Sequence, residues 1–136
     1  MPENRRERGL LDTSVIIDLD RIDATLLPLE VAVSAITMAE LAAGPHATTD
    51  ANERARRQDR LQRTEAAFDP LPFDSEASRA YGRIYAAVAA SGRKARGARL
   101  ADLLIAATAC SLGLPLYTRN PADFRALRGL VEVIAV

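Results

Sequence analysis

Short apolar runs alternate with helix-forming segments along this chain, and that alternation limits the fold more than any other feature. Gly9-Leu10-Leu11, Val31 to Ala35, Leu116-Tyr117-Thr118 and Val131 to Val136 read as strands. Between them lie segments with helical spacing and end signals. Thr13 to Leu19 is the first. A second opens at Thr37, with Glu40 three residues on in capping-box spacing, and closes at Gly44-Pro45. A polar, arginine-rich helix runs from Asp50 to about Phe68. Another runs from Asp74 or Ser75 to near Gly92, with Ala77, Ala80, Tyr81, Ile84 and Val88 on one face. A further apolar face, Leu100, Leu103, Leu104 and Ala107, ends at Gly113. Asn120-Pro121 reads as an N-cap followed by proline at the first helical position. Pro70-Leu71-Pro72-Phe73 suits only an edge strand, because proline has no N–H for a ladder. Strand alternating with helix predicts an α/β fold with a mainly parallel central sheet.

The 136 residues make one domain of ordinary size, expected to span 9–136 behind a flexible arm of residues 1–8. The single cysteine, Cys110, excludes a disulfide scaffold and a thiolate zinc site. The single histidine, His46, excludes His-pair metal motifs and argues against His-based acid/base chemistry. It is expected as a solvated turn residue, and Cys110 as a core residue. Basic and acidic residues balance at 18 each, so there is no global basic field for nucleic acid. Local clusters remain at Arg5-Arg6-Arg8, at Arg54 to Arg63 and around Arg93-Lys94-Arg96-Arg99. Arginine suits phosphate through its two-pronged guanidinium. The last cluster lies in a Gly-containing loop just before Asp102, read as mobile and placed to hold phosphates. The apolar run after the first arginines is broken by Asp12 and Asp18, so it is not a signal peptide. No stretch approaches the ~20 apolar residues of a membrane span, and a cytoplasmic location is expected.

Open parallel sheets bind ligands at the carboxyl ends of their strands. Asp12 ends the first strand, Glu40 lies a helical turn past the second, and Thr118, Asn120 and Asp123 follow the penultimate one. Asp102 lies in the first turns of the helix before that strand. With the first strand central and these two beside it, all of these groups face one crevice. Clustered carboxylates without Lys or His suit a hard divalent cation, Mg²⁺ or Mn²⁺. Such ions can drive phosphodiester cleavage without a side-chain general base. Capping competes with this reading at Glu40 and at Asp123, both first-turn positions. Asp12 is harder to assign to a cap, since a lone aspartate inside Leu10-Leu11-Asp12-Thr13-Ser14-Val15-Ile16 is costly to bury.

Leu11-Asp12-Thr13-Ser14, Thr37 to Gly44, Arg99 to Ala109, and Thr118-Arg119-Asn120-Pro121-Ala122-Asp123-Phe124 resemble, in order, the four sequence blocks of PIN-domain ribonucleases. They are most similar to the toxins of VapBC toxin–antitoxin pairs. The resemblance spans about Leu10 to Val136. It implies a three-layer α/β/α sandwich, a homodimer, Mg²⁺- or Mn²⁺-dependent endoribonuclease activity on RNA, and a VapB-like antitoxin that blocks the site. By block it implies metal-site and catalytic roles for Asp12, Glu40, Asp102 and Asp123, with Thr13, Thr118 and Asn120 in support. Arg93, Lys94, Arg96 and Arg99 are the expected RNA-backbone contacts. Tyr81 and Tyr85, with Ile84 and Val88, are expected at the subunit interface.

Three other readings fit less well. A haloacid-dehalogenase-type phosphatase needs Asp-x-Asp after its first strand, and Ser14 stands where the second acid belongs. A receiver domain needs a lysine after its last strand but one, and Lys94 is the only lysine. A non-catalytic PIN-like RNA- or protein-binding module would be expected to lose acids, and this chain keeps all four.

Overall fold

The computed structural model describes residues 5–92 and 100–136. Four parallel strands form one sheet in the order β2-β1-β3-β4. They are β1 (Arg8–Leu11), β2 (Glu30–Val33), β3 (Leu116–Thr118) and β4 (Val133–Ala135). The first strand is therefore central, flanked by the second and the penultimate, as the sequence predicts.

Strand alternation sorts the core into two halves. Leu10 and Leu116 point to one face and pack with Ala80, Ile84, Leu103, Ile105, Phe124 and Leu127. Leu11, Tyr117 and Val33 point to the other and pack with Val15, Ile16, Leu27 and Leu41. Helices cover both faces: α4 (Ser75–Ala90) and α5 (Leu100–Leu112) on the first, α1 (Thr13–Ile17) and α2 (Ala35–Ala43) on the second. The architecture is an α/β/α sandwich. Among the described residues no helix is long and apolar enough to cross a membrane.

Several element ends differ from expectation, each for a hydrogen-bonding reason. β2 stops at Val33 because Ser34 leaves the strand to cap α2, its hydroxyl accepting from Thr37 N–H at 3.1 Å. β4 begins late because the Leu130 and Val131 N–H groups are spent on Leu127 O, in the turn before it. Leu71 makes one bridge beside Ser34 rather than a strand, since Pro70 and Pro72 have no N–H to extend it. Pro121–Leu127 is 3₁₀ rather than α, and the Asn120 side chain makes no cap bond there. Residues 5–8, read as part of the N-terminal arm, are largely exposed but hydrogen-bonded to the fold. Arg5 Nε donates to Leu27 O at 2.9 Å, Arg6 pairs with Glu132, and β1 starts at Arg8. The Arg6 hydrogen bond holds the Glu132 carboxyl below its usual pKa.

Helix α5 is buried over most of its circumference, from Leu103 to Ala109, rather than on one stripe. Leu100 at its start is exposed. Gly113 ends it with φ +65°, and Leu114 N–H reaches back to Ala109 O at 3.0 Å. That left-handed residue and bond form the glycine stop expected there. Helix α3 (Ala51–Ala67) buries only Thr64 and rests on α2 and the turn after it. Its arginines attach it: Arg54 donates to Pro45 O and Thr48 O, and Arg57 to Gly44 O. This part of the 54–63 cluster is bonded to the fold.

Gly9 lies in β1 beneath the Tyr117 ring. A Cβ there would overlap Tyr117 Cε1 and stand 3.0 Å from Pro28 Cγ. Tyr117 is buried, so the ring has little room to give. Gly9→Ala is expected to cost about 1–3 kcal/mol by overpacking, read as a lower urea midpoint with an unchanged slope. A midpoint equal to wild type would show that the ring yields freely.

Candidate active site

β1 register places Leu11 opposite both Val33 and Tyr117. One residue further on, Asp12, Ser34 and Thr118 stand side by side at the carboxyl edge. Asp12 is 3% exposed. Its backbone stays in the sheet, with Asp12 N–H on Tyr117 O at 2.9 Å, and its carbonyl accepts the first N–H groups of α1. The carboxylate makes no cap bond to that helix.

Its two oxygens have unlike surroundings. Oδ2 accepts from Ser14 Oγ at 2.7 Å and from Thr118 Oγ1 at 2.8 Å. Each hydroxyl in turn accepts a backbone N–H: Arg119 N to Ser14 Oγ at 3.1 Å, and Asn120 N to Thr118 Oγ1 at 3.0 Å. Backbone donors thus fix both hydroxyl rotors so that their protons point at Asp12. Oδ1 is buried and has no hydrogen-bond partner among the described residues. A bare buried carboxylate oxygen is costly unless a cation meets it.

Glu40 belongs to a second network. Thr13 Oγ1 donates to Glu40 Oε1 at 2.6 Å and lies 2.8 Å from Thr37 Oγ1. Thr13 has one proton and spends it on Glu40, so Thr37 is the donor between the two hydroxyls. The capping-box reading of Glu40 is corrected here. The N-cap of α2 is Ser34, Thr37 is at N3, and Glu40 sits a turn further in, too late to cap. Chain neighbours Asp12 and Thr13 thereby link the two networks.

Asp102 and Asp123 reach the same edge by topology. Gly113 to Pro115 join the end of α5 directly to the start of β3, so α5 runs back and its first turn, with Asp102, returns to the strands' carboxyl end. Asp123 is in the 3₁₀ segment after β3. Both are half-buried. Asn120 supports the site through its backbone N–H rather than a side-chain cap. Arg93, Lys94, Arg96 and Arg99 lie outside the described residues.

Among the described residues no three His, Cys, Asp or Glu side chains converge tightly enough to form a ready metal cage. Mg²⁺ keeps several waters and takes only one or two carboxylates, so a tight cage is not required. The donor set fits such an ion: hard oxygens, with Asp12 Oδ1 unclaimed by any donor of the described residues.

Ser14 is the functional residue that the sequence reading passed over. Its signal is local: a serine two residues after an aspartate is placed for a side-chain bond back to it. His46 is exposed, and Cys110 is only half-buried, with Arg83 Nη2 at 3.7 Å from its sulfur. Ile84 and Val88 are core residues, which removes them from any subunit interface. Tyr85 is 49% exposed and its ring centroid lies 6.2 Å from that of Tyr81.

This sheet order, with a buried aspartate at the carboxyl end of its central strand, defines a class. The PIN domain profile matches residues 9–130, and the chain belongs to that family. It is 40% identical over 133 residues to ribonuclease VapC5 of Mycobacterium tuberculosis, covering 94% of this chain and 95% of that protein. It is 32% identical to ribonuclease VapC1 of Rickettsia felis, covering 93% and 95%. Among solved structures it is similar to VapBC-5 from Mycobacterium tuberculosis, a member of the VapBC family of toxin–antitoxin systems. That match has a TM-score of 0.84 and 40% identity, over 96% of this chain and 99% of the other.

Two substitutions within the Asp12 network are expected to move stability in opposite directions. Thr118→Val removes one donor to a buried carboxylate and is expected to cost about 1–3 kcal/mol. Asp12→Asn removes the buried charge and keeps an acceptor for both hydroxyls. In EDTA it is expected to melt above wild type. Thermal unfolding of the two variants checks both directions, and an Asp12→Asn variant that melts well below wild type would refute the strained-carboxylate reading.

Proposed function

We propose that this chain is an endoribonuclease that hydrolyses RNA phosphodiester bonds with Mg²⁺ or Mn²⁺, and that it is the toxin of a type II pair restrained by a VapB-like antitoxin. The observation that carries the catalytic reading is the Asp12 carboxylate, with one oxygen saturated by two oriented hydroxyls and the other buried and bare. The relatives named ribonuclease VapC support the substrate class, and the VapBC-5 assembly supports the antitoxin.

Asp12 would hold the ion through Oδ1, with Glu40, Asp102 and Asp123 as the remaining carboxylates of the site. These residues would hold a divalent ion, which when bound would supply water activation and neutralisation of charge on the phosphate. The chain's own residues hold the ligands still. Ser14 and Thr118 fix the Asp12 rotamer, Thr13 fixes Glu40, and Thr37 fixes Thr13. No side-chain base is assigned. A homodimer fits the exposed apolar groups on α4 and α5, among them Tyr85 and Leu112. A cytoplasmic setting follows from the substrate proposed.

Labelled RNA should be cleaved with Mg²⁺ or Mn²⁺ and left intact with EDTA. Glu40→Gln should lose activity by orders of magnitude while α2 keeps its stability, because Ser34 and not Glu40 caps that helix. Ser34→Ala should instead cost about 1 kcal/mol of stability as a lost N-cap. Thr13→Val should lower the rate roughly 10–100-fold by freeing Glu40. Near wild-type cleavage by Glu40→Gln, with unchanged metal dependence, would remove Glu40 from the site.

A further inference from the structure

Helix α3 carries five arginines, and four of them are committed to the fold. Arg54 bonds the carbonyls of Pro45 and Thr48, Arg56 and Arg57 bond Glu53, and Arg63 pairs with Asp59 at 2.9 Å. The guanidinium of Arg60 bonds no oxygen of the described residues, although the residue is half-buried. Its position is specific. Arg60 lines a cavity of about 310 Å³ whose wall also contains Thr13 and Glu40 of the site above. It also lines a neighbouring cavity of about 250 Å³ between α1 and α3, and Ile17 is shared by the two. The nearby acids are largely spent: Glu53 on two arginines, which lower its pKa, and Asp59 on Arg63. Asp20 is the further acid of the second cavity.

We infer that Arg60 holds a backbone phosphate of the RNA flanking the bond to be cut, and so acts as a positioning residue for the strand. This rests on the ribonuclease reading and adds a residue to it. The chemistry is that of a guanidinium fork with its donors unspent, which matches two phosphate oxygens at once. The placement is the cavity that Arg60 shares with the Glu40 network, so a strand whose cleaved phosphate meets the carboxylates would pass its neighbour beneath Arg60. The contact reads no base and would set affinity rather than sequence choice.

The test compares wild type with Arg60→Ala and Arg60→Lys. Binding of a short labelled single-stranded RNA of mixed sequence is followed in EDTA across a salt series, and cleavage of the same RNA is followed with Mg²⁺. For Arg60→Ala the log–log salt slope should shrink by about 0.7, the value for one phosphate contact on a single strand. KM should rise roughly tenfold with kcat nearly unchanged, the pattern of lost uniform binding, and the melting temperature should stay at that of wild type. Arg60→Lys should restore the slope and part of the affinity. An Arg60→Ala variant with the wild-type slope and KM overturns the inference and leaves the ribonuclease reading standing. A fall in kcat alone also overturns it. Wild-type protein that neither binds nor cleaves RNA overturns the ribonuclease reading, and this inference with it.

Discussion

Asp12 is a charge that its own strand carries into the interior, and much of the site is arranged around keeping it there. Burying an unpaired carboxylate costs several kcal/mol, so its neighbours must either neutralise it or hydrogen-bond it. This chain does half of that. Two hydroxyls, each held by a backbone N–H from the Arg119–Asn120 turn, serve Oδ2, while Oδ1 has no partner among the described residues. The remaining half of the demand is what a cation would meet. The same arrangement explains why Ser14 and Thr118 are hydroxyl residues. Alanine at 14 or valine at 118 would fill a similar volume but could not donate a proton to the carboxylate.

The sheet makes this possible. A central parallel β1 puts its carboxyl end between those of β2 and β3, so Asp12 meets Thr118 across one ladder while Ser34 turns the chain on the other side. Ser34 matters indirectly. By capping α2 from its position, it starts the helix at Ala35, two residues before Thr37, and so turns Thr37 and Glu40 toward Thr13.

Much of this was legible in the sequence. Apolar runs broken by helical segments predicted the parallel sheet, and the position of Asp12 at the end of one run predicted its place at the carboxyl end of β1. The start of α2 was misread because Thr37 and Glu40 have capping-box spacing, while Ser34 sat inside what looked like a continuing strand. Spacing alone cannot say which of two hydroxyl residues leaves the ladder; the pairing of Val33 with Leu11 decides it. Asn120-Pro121 does open a helical segment, as the sequence signals, but that segment coils as 3₁₀ and the Asn120 side chain makes no cap bond. The Arg119 and Asn120 N–H groups are aimed instead at Ser14 and Thr118. The arginines of α3 were unreadable as single residues. Only bond partners separate Arg57, which bonds Gly44 O, from Arg60, which bonds nothing described.

The account's central claim is that the bare oxygen of Asp12 is a cation ligand. Mn²⁺ binding, followed by the loss of the free ion's paramagnetic resonance signal during titration, measures this without RNA or catalysis. Wild type should bind Mn²⁺ saturably, Asp12→Asn should bind it far more weakly, and Thr118→Val should fall between them while remaining folded. Equal Mn²⁺ affinity in wild type and Asp12→Asn would contradict the claim.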